Sequence, residues 1–232
     1  MKKIGLIGGM SWESSLVYYE VMNKKVREIL GGYHSSKCIM ESVDFAEIEE
    51  LQSKGDWKGL DRIMADTAKN LENSGAEIII LCTNTMHLCS DKIIENISVP
   101  FLHIAVATGR RIREKSLKKI ALLGTKFTME KDFYKKILLN EFDIEVIVPE
   151  EKDRNFIHHT IFNELVHGKI TKDSKKGFIK IIEDLKNKGA QGVILGCTEI
   201  PLLIKQADID IPVFDTSKIH AESAVELALK DL

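Results

Sequence analysis

Hydrophobic and polar positions along the chain form short apolar runs that alternate with longer amphipathic segments. The run from Lys3 to Gly8 predicts a short buried strand that ends in glycines. Helical periodicity follows from Trp12 to about Leu30, and a second strand is predicted near Ile39 to Val43. A helix from about Trp57 to Ser74 and a strand from Glu77 to Leu81 continue the order. Strands separated by helices of this length indicate βαβ units and a parallel sheet.

The chain also matches itself, which indicates an internal duplication. Three segments recur in the same order at offsets of 114, 116 and 112 residues: 75–83 as 189–197, 3–8 as 119–124, and 99–101 as 211–213. Tyr18 then falls on Tyr134. Because the three offsets are nearly equal, we interpret the chain as a duplicated α/β unit.

The predicted fold is therefore α/β, with two pseudo-symmetric parallel-sheet domains: residues 1–100 with 215–232, and residues 101–214. In open parallel sheets, ligands bind beyond the carboxyl ends of the strands. We expect the active site in the cleft between the two domains. Four short polar loops that follow buried strands are expected to form it: Gly8 to Ser11, Thr83 to His87, Gly124 to Thr128, and Cys197 to Glu199.

Composition and charge narrow the classes of function. The 232 residues include 33 Lys+Arg and 35 Asp+Glu, and the net charge of −2 gives no indication of nucleic-acid binding. No apolar run approaches the roughly 18 residues of a membrane span, and the first apolar stretch breaks at Gly8 and Gly9. The four cysteines are too few for a disulfide framework and form no CxxC pair or zinc motif. We expect a cytoplasmic protein with free thiols, no metal, and neither a membrane nor a nucleic-acid partner.

Two acid/base candidates occupy equivalent positions in the repeat. The offset of 114 places Thr83 opposite Cys197, and each is followed by a polar residue that can end a strand and begin a helix. A thiol at a helix N-terminus feels the positive end of the helix dipole, so we expect a lowered pKa for Cys197 and a usable base or nucleophile. Successive strand residues point to opposite faces, so Cys82 is expected to point away from Thr83.

Three motifs together resemble the aspartate/glutamate racemase superfamily: Gly8-Gly9-Met10, Cys-Thr-Asn-Thr-Met-His at 82–87, and Gly-Cys-Thr-Glu-Ile at 196–200. The resemblance covers essentially the whole chain. Residues 9–14 with 82–85 look closest to the broad-specificity or L-aspartate/glutamate-specific amino-acid racemases. The resemblance implies a racemase that uses no pyridoxal phosphate or other cofactor, takes a small-molecule amino acid as substrate, and forms a homodimer.

The resemblance also implies two acid/base groups on opposite faces of the substrate α-carbon. Most members of the family use two cysteines, whereas this chain has Thr83 at the first position and Cys197 at the second. An alcohol ionises far less readily than a thiol, so Thr83 is a poor base but a candidate proton donor or relay. By the family's handedness Cys197 acts on the L-amino acid, and we expect the two directions of the reaction to differ in rate.

The predicted substrate-binding residues lie in or near the same loops: Met10, Gln52, Asn84, Thr85, Thr125, Thr128, Thr198 and Glu199. By the family pattern, Asn84, Thr85 and Thr198 hold the α-carboxylate. Glu199 is a candidate acceptor for the substrate ammonium, although a Glu in a first helical turn is common. Thr128 is alternatively a helix N-cap, and Asn84 could combine both roles.

Substrate specificity stays open at the level of sequence. Acid-specific family members place basic residues at the far end of the cleft, where this chain has Val166 and Gln52. Lys126 and Lys169 either replace them or lie on the surface, so a neutral amino acid such as homoserine is an alternative to aspartate or glutamate. His87 is either a structural hydrogen-bonding residue or a catalytic one.

Two rival functions would use the same fold. A single-cysteine decarboxylase or a dicarboxylate isomerase would share the fold and Cys197. A small-molecule binding protein that has lost catalysis would explain Thr83 in place of a cysteine. Nucleotide binding is disfavoured, because Gly5 to Gly9 lacks the GxGxxG spacing and the sequence has no P-loop motif.

Overall fold

The computed structural model describes residues 1–230, which divide into two compact units, 1–104 with 217–230, and Ala105–Thr216. Its strands are β1 Ile4–Gly8, β2 Cys38–Ser42, β3 Ile78–Leu81, β4 Lys119–Gly124, β5 Glu145–Ile147, β6 Val193–Gly196 and β7 Val213–Asp215. Its α-helices are α1 Trp12–Leu30, α2 Phe45–Lys54, α3 Trp57–Asn73, α4 Ser90–Asn96, α5 Ile104–Glu114, α6 Lys126–Glu130, α7 Asp132–Phe142, α8 Glu151–Asn163, α9 Lys172–Asn187, α10 Ile200–Leu203 and α11 Thr216–Leu229. Short 3₁₀ helices cover Thr85–Cys89, Leu165–His167 and Gln206–Asp208. Over the described residues, no helix is both long enough and apolar enough to cross a membrane.

The sheet of the first unit has three parallel strands in the order β2-β1-β3. Phe101 extends one edge through a single parallel bridge to Ile79. The central strand β1 is buried on both faces: Ile4 and Leu6 lie in the apolar cluster with α1 and α11, whereas Ile7 lies in the cluster with α2 and α3. The parallel register of β1 and β3, with Ile7 opposite Leu81, places the carboxyl ends of the two strands next to each other.

The sheet of the second unit has four parallel strands in the order β5-β4-β6-β7. Leu123 of β4 and Leu195 of β6 belong to one apolar cluster with Ile157 of α8 and Phe178 of α9. The strands β4 and β6 end together, because Gly124 lies opposite the last residue of β6.

The strand register reproduces the internal repeat. Ile7 lies opposite Leu81 in the first unit, and Leu123 lies opposite Leu195 in the second. Adding 116 residues to Ile7 gives Leu123, and adding 114 residues to Leu81 gives Leu195, so the two pairs are equivalent. The edge pairs also correspond, Ile79 with Phe101 and Val193 with Val213. The predicted fold of two parallel-sheet α/β units from a duplication is confirmed.

The strands and helices predicted with explicit bounds differ from the structure by at most one or two residues at their ends. Helix α2 was not predicted, because Ile48 is its only fully buried residue and its amphipathic pattern is correspondingly weak. In the second unit the helix expected directly after Cys197 begins only at Ile200, with Glu199 at its N-cap.

Candidate active site

A tight turn follows β1 and brings the chain into α1. Gly9 has a φ of +96°, and a Cβ at this position would lie 2.2 Å from the Val43 carbonyl oxygen, so the turn requires glycine. The Gly9 N–H donates to Ser15 Oγ at 2.8 Å. The Ser14 hydroxyl donates to the Cys82 carbonyl at 2.6 Å and thereby joins the start of α1 to the segment after β3.

The segment after β3 is held through its backbone. The Cys82 N–H makes the last ladder bond, to the Ile7 carbonyl at 2.9 Å. The Thr83 carbonyl then accepts a hydrogen bond from His87 Nδ1 at 2.8 Å, and the Asn84 carbonyl accepts one from the His87 N–H at 3.1 Å. Cys82 and Asn84 are buried, whereas Thr83 keeps part of its surface exposed.

Cys82 is poorly placed to serve as a second acid/base thiol. It lies in the apolar cluster that contains Leu6 and Tyr18, and burial raises the pKa of its thiol far above the ordinary value. Asn84 occupies the N-cap position of the 3₁₀ helix Thr85–Cys89 but makes no side-chain capping bond there. Thr83 is therefore the residue of this segment that combines a proton-bearing side chain with exposure.

Both ring nitrogens of His87 are occupied. Because Nδ1 contacts a carbonyl oxygen, it carries the proton, and Nε2 accepts from the Ile104 N–H at 3.1 Å. The ring is completely buried, and burial lowers its pKa well below the ordinary value, with smaller contributions from His103 and His220. Of the two roles that the sequence left open for His87, this geometry favours the structural one.

Two predicted substrate-binding residues of the first unit lie beside this segment. Gln52 on α2 donates Nε2–H to Met86 Sδ at 2.9 Å. Met10 is only 5% exposed and belongs to the apolar cluster that also contains Met86. Thr85, the neighbour of Met86, is buried as well. The first unit thus brings Met10, Gln52 and Thr85 to one end of its sheet.

In the second unit a short helix, α6, follows β4. Thr125 is its N-cap, since its Oγ1 accepts from the Thr128 N–H at 3.3 Å. The alternative that Thr128 is the cap is wrong: Thr128 is fully buried in the first turn, with its hydroxyl 3.2 Å from that of Thr125. Lys126 is half-buried and its N–H donates to His158 Nδ1 at 3.3 Å, whereas Lys169 is exposed.

The segment after β6 brings a thiol, a hydroxyl and a carboxylate together. The Cys197 thiol donates to Glu199 Oε2 at 2.7 Å, and the Thr198 hydroxyl donates to the same oxygen at 2.8 Å. All three side chains are half-buried. Cys197, Thr198 and Glu199, predicted separately from the sequence, therefore form one hydrogen-bonded group.

The expectation of a lowered pKa for Cys197 is wrong. Burial raises the pKa of this thiol well above its ordinary value, the Glu199 carboxylate raises it further, and backbone hydrogen bonds oppose the shift only in part. Helix α10 starts at Ile200 and has 4 residues, so its dipole is small and begins beyond the thiol. Cys197 rests as a protonated thiol.

Sequence reasoning missed a polar layer beneath the Thr83 segment. The Tyr18 hydroxyl donates to His220 Nδ1, and His220 Nε2–H donates to the Leu102 carbonyl, both at 2.8 Å. The His103 ring centroid lies 4.5 Å from that of His87. These histidines are far apart in the sequence, so no local motif reveals them. Within residues 1–230, no group of three His, Cys, Asp or Glu side chains is arranged to hold a metal ion.

Comparison with known proteins identifies the family to which this chain belongs. Residues 7–224 match the family described as Asp/Glu/Hydantoin racemase, which spans nearly the whole chain. The chain belongs to this family and is a racemase, as its motifs predict.

Individual relatives agree with this assignment. The chain is 47% identical to a Yersinia pestis protein assigned as an Asp/Glu racemase, with a TM-score of 0.94 over 99% of this chain and 100% of that one. It is 39% identical to an aspartate racemase homologue from Pyrococcus horikoshii, with a TM-score of 0.86 over 98% and 99% of the two chains. The broad specificity amino-acid racemase RacX of Bacillus subtilis is 26% identical over 176 residues, 72% of either chain.

Proposed function

We propose that this racemase inverts the α-carbon of a small amino acid without a cofactor, with Cys197 and Thr83 as its acid/base pair. The observation that carries the proposal is the shared strand register. Thr83 follows Leu81 by two residues, and Cys197 follows Leu195 by two residues, where Leu81 and Leu195 are register equivalents. Equivalent positions in duplicated halves suit equivalent roles toward mirror-image substrates.

The contact between Cys197 and Glu199 supplies the chemistry on one face of the α-carbon. Because Cys197 rests as a thiol, its proton first moves to the Glu199 carboxylate that it already contacts. The thiolate then removes the α-proton of the L-enantiomer, and the electron pair of the broken C–H bond is delocalised into the substrate carboxylate. In the reverse direction the thiol returns a proton to the same face.

Thr83 acts on the opposite face. Its hydroxyl, directly or through a water molecule, protonates the carbanion, and solvent replaces the proton that it gives up. Its partial exposure supports this exchange with solvent. The α-carboxylate is assigned to Asn84, Thr85 and Thr198, whose hydroxyl and amide groups can stabilise the negative charge that develops there.

For the substrate we propose aspartate or glutamate, in line with the descriptions of the Yersinia pestis and Pyrococcus horikoshii proteins as racemase relatives for these amino acids. Met10, Thr125 and Thr128 complete the proposed binding set. The alternative is a neutral amino acid such as homoserine. It is favoured by Gln52, whose amide is already bonded to Met86, and by the broad specificity in the name of the Bacillus subtilis relative.

The test follows individual L- and D-amino acids in deuterated water. Proton NMR measures loss of the α-proton, and chiral chromatography measures inversion. Cys197→Ala should abolish α-proton loss from the L-substrate. Thr83→Val should keep exchange of the L-substrate at Cys197 but lose inversion, because the thiol can still return a deuteron to the same face. Equal loss of exchange and inversion in Thr83→Val would contradict the assigned roles.

The same experiment separates the rival functions. Exchange with aspartate and glutamate alone supports the acidic substrate, and exchange with neutral amino acids supports the alternative. Release of carbon dioxide would indicate a decarboxylase. A wild-type protein that exchanges no α-proton would indicate a binding protein and would overturn the proposed function.

We also propose that the protein forms a homodimer through α1. Trp12, Leu16 and Tyr19, at helical spacing, are 65%, 58% and 50% exposed and form one apolar face. Sedimentation equilibrium should give a dimer for the wild type and a monomer for Leu16→Glu. A monomeric wild type would contradict the proposal.

A cytoplasmic location is proposed as well. All four cysteines, Cys38, Cys82, Cys89 and Cys197, are free thiols. Fractionation of cells that produce the protein should recover it with cytoplasmic markers, and recovery with the periplasmic or membrane fraction would contradict this location.

A further inference from the structure

We propose that His87 is a positioning residue that holds Thr83 in the orientation required for proton transfer. This inference rests on the acid/base role proposed above for Thr83. His87 does not itself exchange protons with the substrate. It acts through the backbone of Thr83.

Thr83 lies just beyond the support of the sheet. Strand β3 ends at Leu81, and the last ladder bond of this segment belongs to the Cys82 N–H. The Cys82 carbonyl accepts from the Ser14 hydroxyl at 2.6 Å, and the following carbonyl, that of Thr83, accepts from His87 Nδ1 at 2.8 Å. This bond fixes the peptide plane that follows Thr83, and with it the direction of the Thr83 Cα–Cβ bond.

The His87 ring is itself held in one orientation. Its Nε2 accepts from the Ile104 N–H at 3.1 Å, so rotation of the ring would break hydrogen bonds at both nitrogens. The centroids of Phe101, His103 and His220 lie 5.6, 4.5 and 5.7 Å from that of His87. A buried ring enclosed in this way fixes the Thr83 carbonyl more rigidly than a solvent-exposed partner would.

The second half of the chain contains no counterpart of this histidine. The offset of 114 residues places Pro201 opposite His87. Proline has no ring donor, and the Cys197 carbonyl accepts instead from the Ile200 N–H at 3.3 Å. The histidine therefore belongs to the half that carries the weaker acid. A displacement of about 1 Å can cost a reaction roughly a hundredfold, so a contact that orients Thr83 affects the proton transfer assigned to it.

Two substitutions separate the two hydrogen bonds of His87. In His87→Asn, Nδ2 takes the place of Nδ1 and can still donate to the Thr83 carbonyl, but the acceptor for Ile104 is lost. In His87→Gln, Oε1 takes the place of Nε2 and can still accept from Ile104, but the donor to Thr83 is lost. Both variants replace a buried ring by a smaller amide, so their effects on packing are similar.

The measured quantity is the ratio of inversion to α-proton exchange for the L-substrate in deuterated water. Exchange reports on Cys197, so it is an internal control for folding and substrate binding. His87→Gln should lower the ratio by roughly ten- to a hundredfold, the scale of a displacement near 1 Å, and His87→Asn should change it by less than about threefold. His103→Gln, which replaces a neighbouring buried ring, should lower exchange and inversion together and leave the ratio unchanged.

Each other outcome overturns the inference in a distinguishable way. Equal ratios in wild type, His87→Asn and His87→Gln would make His87 a packing residue only. Failure of both variants to fold would lead to the same conclusion. A wild-type protein that exchanges no α-proton would contradict the proposed role of Thr83, and it would thereby also rule out the positioning role of His87.

Discussion

The thiol of Cys197 and the carboxylate of Glu199 lie 2.7 Å apart, and this contact adds to the effect of burial on the protonation state of the residue proposed to act on the L-substrate. The sequence motif alone suggested an activated thiolate. The structure gives the opposite: burial raises the pKa of the Cys197 thiol, and the neighbouring Glu199 carboxylate raises it further, because it disfavours a second negative charge. The same carboxylate that raises the pKa is also the nearest acceptor for the proton.

Glu199→Gln is expected to lower the pKa of Cys197, since the substitution removes a negative charge beside the thiol but keeps a polar side chain. The measurement is the rate of iodoacetamide alkylation of the Cys197 peptide as a function of pH, followed by mass spectrometry. Thr198→Val keeps the Glu199 charge and should shift the alkylation curve much less. An alkylation curve for Glu199→Gln that stays in place or moves to higher pH would contradict this account.

At the scale of elements, the turn between β1 and α1 is constrained in both backbone conformation and space. Gly9 combines a positive φ with a close approach to the Val43 carbonyl, and its N–H is bonded to Ser15. The adjacent Ser14 holds the Cys82 carbonyl, so a change in this turn reaches the Thr83 segment through one hydrogen bond.

Gly9→Ala is therefore expected to lower the free energy of unfolding by about 3 kcal/mol or more, through backbone strain and the clash with Val43. Gly55→Ala is the matched control. Gly55 also has a positive φ, of +69°, but a Cβ there has no neighbour within 4 Å, so we expect a loss of about 1–2 kcal/mol. Urea denaturation of both variants measures the difference. Equal losses would show that the steric contact at Gly9 relaxes freely.

Elements with strong periodic patterns could be predicted from the sequence, and weak ones could not. The run of apolar residues in β3 and the long amphipathic helix α3 each bury a full face, so their patterns are unambiguous. Helix α2 buries one residue completely, and α10 is a single turn, so neither has a readable period. The equivalence of Thr83 and Cys197 was readable because a duplication repeats in the sequence itself. The pKa of Cys197 and the partners of His87 depend on contacts that form only in the folded chain.

At the scale of the whole molecule, three buried histidines of the first unit couple its stability to pH. Burial lowers the pKa of His103 to about 3 and that of His220 to about 4, and it lowers the pKa of His87 as well. All three rings bind protons in the unfolded chain below about pH 6.5, but the folded chain resists protonation. The unfolded state therefore gains protons first as the pH falls, and stability decreases from about pH 6.5 toward pH 4.

Each such histidine should contribute about 1.4 kcal/mol of lost stability per pH unit in this window. Urea denaturation at several pH values between 4.5 and 7 measures the slope. His103→Gln should reduce the slope by one histidine's share, while contributions from carboxylates are common to both proteins and cancel. His34→Gln, at an exposed position, should keep the wild-type slope. Parallel slopes for wild type and His103→Gln would contradict the prediction.

The proposed acid/base pair consists of two different groups, an alcohol and a thiol, and thermodynamics limits how this difference can affect the reaction. The L- and D-enantiomers of a free amino acid have the same energy in water, so the Haldane relation requires equal kcat/KM in both directions. Thr83 and Cys197, as the proposed acid/base pair, therefore cannot make the enzyme favour one product at equilibrium. The chemical difference between the two residues can change kcat and KM only by the same factor in each direction. The two directions can therefore differ in rate at saturating substrate, but not at low substrate concentration. One enantiomer then occupies the enzyme at a lower concentration than its mirror image and acts as the stronger competitive inhibitor.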